Sequence, residues 1–238
     1  MEIKVLDKGF VRLDDFMGGD AVVCKAARVS TGKESVDPER DRGLIEYLIK
    51  NGHGTPFEHT VFRFHVKCPI FVMRQWVRHR IGSFNEMSGR YREMPCDFYF
   101  PAKWRFQKQP TEPGIHQIDH DSFSTWLDEH CVRAANIYHQ CLQVNIAREM
   151  ARMFLPLNLY TEFYWTVNLR SLFNFLKQRM NVHAQWEMRQ YAFPVAFMVA
   201  SRAPDSWSAY IQHDLKDADV FGYAEWARDH VQGGVAAQ

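Results

Sequence analysis

The sequence predicts an α+β fold, a single mixed domain with a mainly antiparallel sheet packed by helices. Three observations carry this expectation. Segments that alternate apolar and polar residues, as strands do, are interleaved with segments of helical period. Their order lacks the regular βαβ spacing of a parallel sheet. No long linker, internal repeat or low-complexity tract divides the 238 residues, so 1–238 reads as one domain.

The elements follow in chain order. EIKVL and FVRL alternate and read as one or two short N-terminal strands. Asp20 is placed to cap a short helix through AVVCKAARVS. A clearer helix begins at Asp37-Pro38, with proline at its first position, Leu44, Ile45 and Leu48 on one face and Gly52 at the C-cap. In VFRFHVK, Phe62, Phe64 and Val66 share a face, which predicts a half-buried strand. Pro69 opens a helix through IFVMRQWVRHR that stops near Gly82. SFNEMSGRYREM follows neither period and reads as a loop, and DFYFP as a short strand. Residues 103–120, with two Pro, three Gln and few apolar residues, read as a surface excursion. A long helix spans Asp121 to Gln143, and a second lies around Ala147–Leu155. Thr161, Phe163, Trp165 and Val167 alternate in another strand. Helices over Ser171–Met180 and His183–Ala200 come next, the second bent or started by Pro194. The tail, about 225–238, reads as frayed.

Composition narrows the function. Apolar residues at 46% and aromatic residues at 14% supply an ample core and exclude general disorder. Net charge is 29 − 28 = +1, so no global field draws the chain to nucleic acid or an anionic membrane. No apolar run approaches the roughly 18 residues of a membrane span, and MEIKVLDKGF lacks the pattern of a secretory leader. The cysteines, Cys24, Cys68, Cys96, Cys131 and Cys141, are odd in number and form no C-x-x-C pair. This predicts a reduced cytoplasmic protein with buried thiols, without a disulfide framework or a cysteine zinc site.

Anion recognition must therefore be local. Arg74, Arg78, Arg80, Arg90 and Arg92 stand within nineteen residues that hold one acid, Glu86, and no lysine. Guanidinium forks match phosphate and carboxylate oxygens bidentately. Cations near a helix C-terminus also meet its dipole favourably. That second reading covers Arg78 and Arg80 but not Arg90, or its neighbours Asn85, Glu86 and Ser88. A further polar set comprises Arg148 and Arg152, then Asn168, Arg170, Asn174 and Arg179. Asparagine suits a heterocycle edge, and it equally serves as a helix cap. P-loop, Rossmann, H-E-x-x-H and P-C-x-x-C motifs are absent, and no metal site is expected. No activated nucleophile stands out: Cys96 has no histidine beside it, and Ser88 suits a hydrogen bond to phosphate better than attack.

Arg78-His79-Arg80, IGSFNEM, Ser88 and then Gly89-Arg90-Tyr91 form RHR-x7-S. This resembles the signature of the flavin-dependent (alternative) thymidylate synthases. RDRGLIEYL, GHGTPFEH, LPLNLYTEFYWTVNLRSLFNFL and HAQWEMRQYA are similar to further family segments, so the resemblance covers roughly 1–100 and 145–195. It implies reductive methylation of dUMP to dTMP without a covalent enzyme nucleophile. The carbon would come from 5,10-methylenetetrahydrofolate, and NADPH would reduce a bound FAD held in a non-Rossmann site. It implies a cytoplasmic homotetramer with shared active sites, without nucleic acid, membrane or metal partners.

Carried over by position, Gln75, Trp76, Val77, Arg78, Glu86, Met87, Ser88, Gly89, Arg90, Arg152 and Arg179 resemble the dUMP-binding set, with Arg179 catalytic at an ionised uracil. Thr55, Arg78, His79, Arg80, Glu86, Asn168, Leu169, Arg170 and Asn174 resemble the FAD set, and His53 and Glu58 are candidates for the same pocket. Two other readings are weaker: a flavin reductase lacking methyl transfer, and a module gripping RNA or single-stranded DNA. The latter would need an extended basic track rather than one compact cluster.

Overall fold

The computed structural model describes residues 1–32, 37–105, 120–215 and 220–232. Five strands, β1 (Glu2–Val5), β2 (Gly9–Met17), β3 (Val61–Pro69), β4 (Ser83–Glu86) and β5 (Tyr160–Asn168), form one antiparallel sheet in the order β1-β2-β3-β5-β4. Strand alternation puts Val11, Phe62, Phe64, Val66, Phe163, Trp165 and Val167 on one buried face. That face is covered by α3 (Ile70–Trp76), α6 (Leu169–Arg179) and α7 (Trp186–Arg202). Around these lie α1 (Asp20–Arg28), α2 (Pro38–Lys50), α8 (Pro204–His213) and α9 (Val220–Gln232). A smaller apolar cluster forms where α4 (His120–Gln143) and α5 (Arg148–Ala151) meet Met94, Phe98 and Leu159. The α+β class with an antiparallel sheet is as the sequence predicts. Among the described residues, no helix is long and apolar enough to cross a membrane.

Several elements depart from expectation for identifiable reasons. The segment read as a loop after Gly82 contains β4, an edge strand of four residues in which Phe84 lies opposite Trp165. Four residues are too few to establish a period. DFYFP makes a single bridge, Phe98 to Leu159. Cys96 there turns the chain at φ 48°, and Pro101 has no donor for a ladder. The helix after Pro69 ends at Trp76, so Arg78, His79 and Arg80 stand on the following turn. The helix expected over Ala147–Leu155 splits into α5 and a 3₁₀ turn, Arg152–Phe154, ahead of Pro156. Gly52 follows the C-cap Asn51 instead of occupying it.

Asp20 is the first residue of α1 rather than its cap, which is Gly19. Its carboxylate accepts from the backbone N–H of Asp205 and of Ser206, and so caps α8. The tail expected to fray from 225 is helical to Gln232, where Trp226 packs on Phe193 and stacks on His230. Of the expected surface excursion, residues 106–119 lie outside the described residues, as do 233–238 of the tail.

Candidate active site

The turn after α3 and the C-terminal end of α6 meet through Arg179. Its Nε donates to His79 Nε2 at 2.9 Å, and a terminal nitrogen donates to the Gln75 carbonyl at 3.1 Å. His79 is 8% exposed and packs edge-on against Phe175. Burial, reinforced by the Arg179 charge, lowers its pKa from 6.5 to about 4. The ring is thus neutral at ordinary pH, with Nε2 accepting and its proton on Nδ1. Burial also lowers the Arg179 pKa. The guanidinium stays charged, aided by the dipole at the end of α6.

Beside this pair opens a cleft of about 710 Å³. It is lined by Glu58, Arg78, His79, Arg80, Asn168, Arg170 and Asn174, together with Ile81, Ser171 and Gln178. Asn168 caps α6 by accepting from the Ser171 N–H at 2.9 Å. Arg170, Asn174 and Gln178 follow at four-residue steps on one helical face. Arg170 pairs with Glu58 at 2.6 Å. It passes so close to Gly54 that a Cβ there would meet its Nε at 2.5 Å. Arg170 and Asn174 also line an adjoining pocket of about 280 Å³ that holds His53 and Lys177. Thr55 is exposed on a 3₁₀ turn and lines neither.

A second cleft, of about 270 Å³, gathers Glu86, Met87, Ser88, Gly89 and Arg152. The Thr161 hydroxyl donates to Glu86 at 2.7 Å, and the Arg90 N–H donates to Ser88 Oγ at 3.3 Å. A Cβ on Gly89 would come within 3.1 Å of the Arg152 side chain, so only glycine leaves that space free. Arg90 itself pairs with Glu149 at 3.1 Å.

The two clefts sit toward opposite ends of β4. Ser83 lies opposite Thr166 near the first, and Glu86 opposite Phe163 at the second. Three residues of strand separate these pairs by about 10 Å. Gln75, Arg78, His79 and Arg179 are thus gathered on one side, and Glu86–Arg90 with Arg152 on the other. The Trp76 and Leu169 side chains are fully buried, which leaves only their backbone to face a ligand; Val77 is half-buried. Ile81, Ser171, Gln178 and Lys177 are lining residues that sequence reasoning missed. Helical spacing from Asn174 and Arg170 was the signal that could have found the last two.

No thiol lines either cleft. Burial raises the Cys24 pKa to about 11 and pushes those of Cys68, Cys96 and Cys131 upward as well. Among the described residues, no cluster of three or more His, Cys, Asp or Glu side chains could hold a metal ion. Guanidinium and amide groups dominate the first cleft, whereas the second sets Arg152, Ser88, Glu86 and Thr161 against the apolar side chains of Ile70, Met87, Met94, Leu155 and Leu159; these donors fit phosphates and a heterocyclic ring system.

Such a donor set suits an enzyme that acts on nucleotides. Residues 12–205 match the family model described as Thymidylate synthase complementing protein, and the chain belongs to that family. It is 49% identical over 221 residues to a flavin-dependent thymidylate synthase from Thermotoga neapolitana, covering 91% of this chain and 97% of that one. Identity to a flavin-dependent thymidylate synthase from Thermus thermophilus is 48% over 222 residues, covering 92% and 81%. The crystal structure of a UMP/dUMP methylase, PolB from Streptomyces cacaoi, bound with 5-Br dUMP, matches the fold with a TM-score of 0.79 at 34% identity. That match covers 90% of this chain and all of that one.

Proposed function

We propose that the chain is a flavin-dependent thymidylate synthase. It converts dUMP, 5,10-methylenetetrahydrofolate, NADPH and a proton to dTMP, tetrahydrofolate and NADP⁺. The activity is supported by the family match and by relatives of that name aligned over about nine-tenths of the chain. The observation that carries the chemistry is Arg179, a guanidinium held between a backbone carbonyl and the neutral imidazole of His79, which itself lines the larger cleft. A preorganised cation there stabilises the anion that forms as uracil loses its N3 proton and C5 becomes nucleophilic.

Arg90, Ser88 and Arg152 bind the phosphate. Arg78, His79, Arg80, Asn168, Arg170 and Asn174 hold FAD, which supplies hydride chemistry when bound. Phosphate-side and flavin-side groups stand apart within one chain, which supports catalytic centres shared between subunits of a homotetramer. Exposed Ile146, Met150, Met153, Phe154 and Leu157, around Arg152, supply an apolar surface for that contact. The chain acts as one domain, and its five free thiols suit the cytoplasm.

The test is anaerobic incubation with FAD, NADPH, dUMP and 5,10-methylenetetrahydrofolate, scoring dTMP by chromatography. Formation of dTMP that requires both flavin and NADPH is expected. NADPH oxidation without dTMP would leave a reductase and overturn the methyl-transfer reading.

A further inference from the structure

A buried carboxylate outside both clefts is linked through Gln185 to the side chain of Gln75. Glu187, in the first turn of α7, is 3% exposed. One of its oxygens accepts from Arg105 and from the Tyr99 hydroxyl, and the other accepts from Gln185 Nε2 at 3.0 Å. Gln185 Oε1 accepts in turn from Gln75 Nε2 at 2.5 Å. Burial pushes the Glu187 carboxyl upward, but hydrogen bonds from Arg105, its own backbone N–H and Gln185 hold it below the usual range.

An ionised carboxylate can only accept, whereas a primary amide donates from nitrogen and accepts at oxygen. Gln185 must therefore turn its nitrogen to Glu187 and its oxygen to Gln75. Gln75 must then turn its nitrogen to Gln185, which leaves Oε1 directed away from the chain of bonds. One charge thus sets the orientation of two amides in series. Gln75 is also the residue whose carbonyl holds Arg179.

We propose that Glu187 and Gln185 are positioning residues that fix Gln75 with its side-chain oxygen toward the substrate, so that the site selects a nucleotide presenting an N–H or O–H donor there. The proposal rests on dUMP being the substrate and on Gln75 belonging to its binding set. Its donor is either the base N3–H or the sugar 3′-hydroxyl.

The test uses the flavin-loaded enzyme and compares KM and kcat for dUMP in Gln185→Leu, Glu187→Gln, Gln75→Leu and the pairwise combinations with Gln75→Leu. Gln185→Leu and Glu187→Gln are each expected to raise KM roughly five- to tenfold, the scale of one hydrogen bond, with the flavin spectrum unchanged. In the Gln75→Leu background neither is expected to add to the loss, since both act through the same amide. Wild type is expected to discriminate against N3-methyl-dUMP or against 3′-deoxy-dUMP, whichever lacks the donor, and Gln75→Leu to lose that discrimination.

Multiplying losses in the double variants, or an unchanged KM in Gln185→Leu, overturns the relay. Equal use of both analogues and dUMP by wild type overturns donor selection. Gln185 is exposed, so its variant tests the relay even where Glu187→Gln fails to fold. Wild-type enzyme that makes no dTMP overturns the proposed function instead, before any variant is compared.

Discussion

At one end of β4, Arg179 is clamped by His79 and a backbone carbonyl; at the other, Arg90 leans on Glu149, and both partners are 54% exposed. The first guanidinium gives two of its donors to neutral acceptors and, among the described residues, pairs with no carboxylate in its partly buried place. The second pairs with an exposed carboxylate, an arrangement worth little in water and easily exchanged for a phosphate. A fixed, unneutralised cation suits charge that develops during reaction. An exchangeable pair suits charge that arrives with the ligand.

This contrast predicts different kinetic signatures. The largest effect is expected from Arg179→Ala, with kcat lowered about 10²–10³-fold and KM for dUMP moved far less. A variant that loses only affinity would place Arg179 with the binding groups and erase the distinction. Arg90→Ala is expected to weaken dUMP binding by about 2 kcal/mol, roughly thirtyfold in Kd, while saturating turnover falls little. Calorimetric titration reads this directly, and unchanged affinity would remove Arg90 from the phosphate site.

His79 links the clamp to pH. Its folded pKa lies near 4, below the 6.5 of an unperturbed histidine. Between those values the unfolded chain takes up a proton that the folded chain refuses. Stability is therefore full above about 6.5 and falls as pH drops toward 4. Urea midpoints at pH 7 and pH 5 are expected to converge in His79→Phe relative to wild type; an unaltered pH response would show that the ring is not the titrating group. The smallest effect belongs to Glu149→Gln. Losing so exposed a pair is expected to shift stability by less than about 0.5 kcal/mol and to tighten dUMP binding up to a few-fold. A marked destabilisation would make the Arg90 pair structural and close the comparison.

Much of the fold was legible because burial imposes a period. Phe62, Phe64 and Val66 on β3, and Thr161, Phe163, Trp165 and Val167 on β5, announce strands through alternation alone. Asp37-Pro38 likewise marks the start of α2, and the Asp37 carboxylate accepts the Glu39 N–H there. β4 escaped because an edge strand is defined by the partner that pairs with it, and its own side chains are mostly exposed. In the site, the residue types were readable and their grouping was not. The arginine-rich signature looks continuous along the chain, yet β4 runs through it and carries Arg78–Arg80 and Glu86–Gly89 to different clefts.

By itself the sequence determined the fold class, the family resemblance and the supply of guanidinium and amide groups, all of which are local or cumulative properties of the chain. Tertiary structure alone decided which groups hold one another. Arg179 meets His79 across 100 residues, Gln75 meets Gln185 across 110, and the Asp20 carboxylate caps a helix 185 residues away. A side chain carries the same donors and acceptors wherever it stands. Its partner is set by where the chain returns in space, and that depends on the packing of the whole core rather than on the residues nearby.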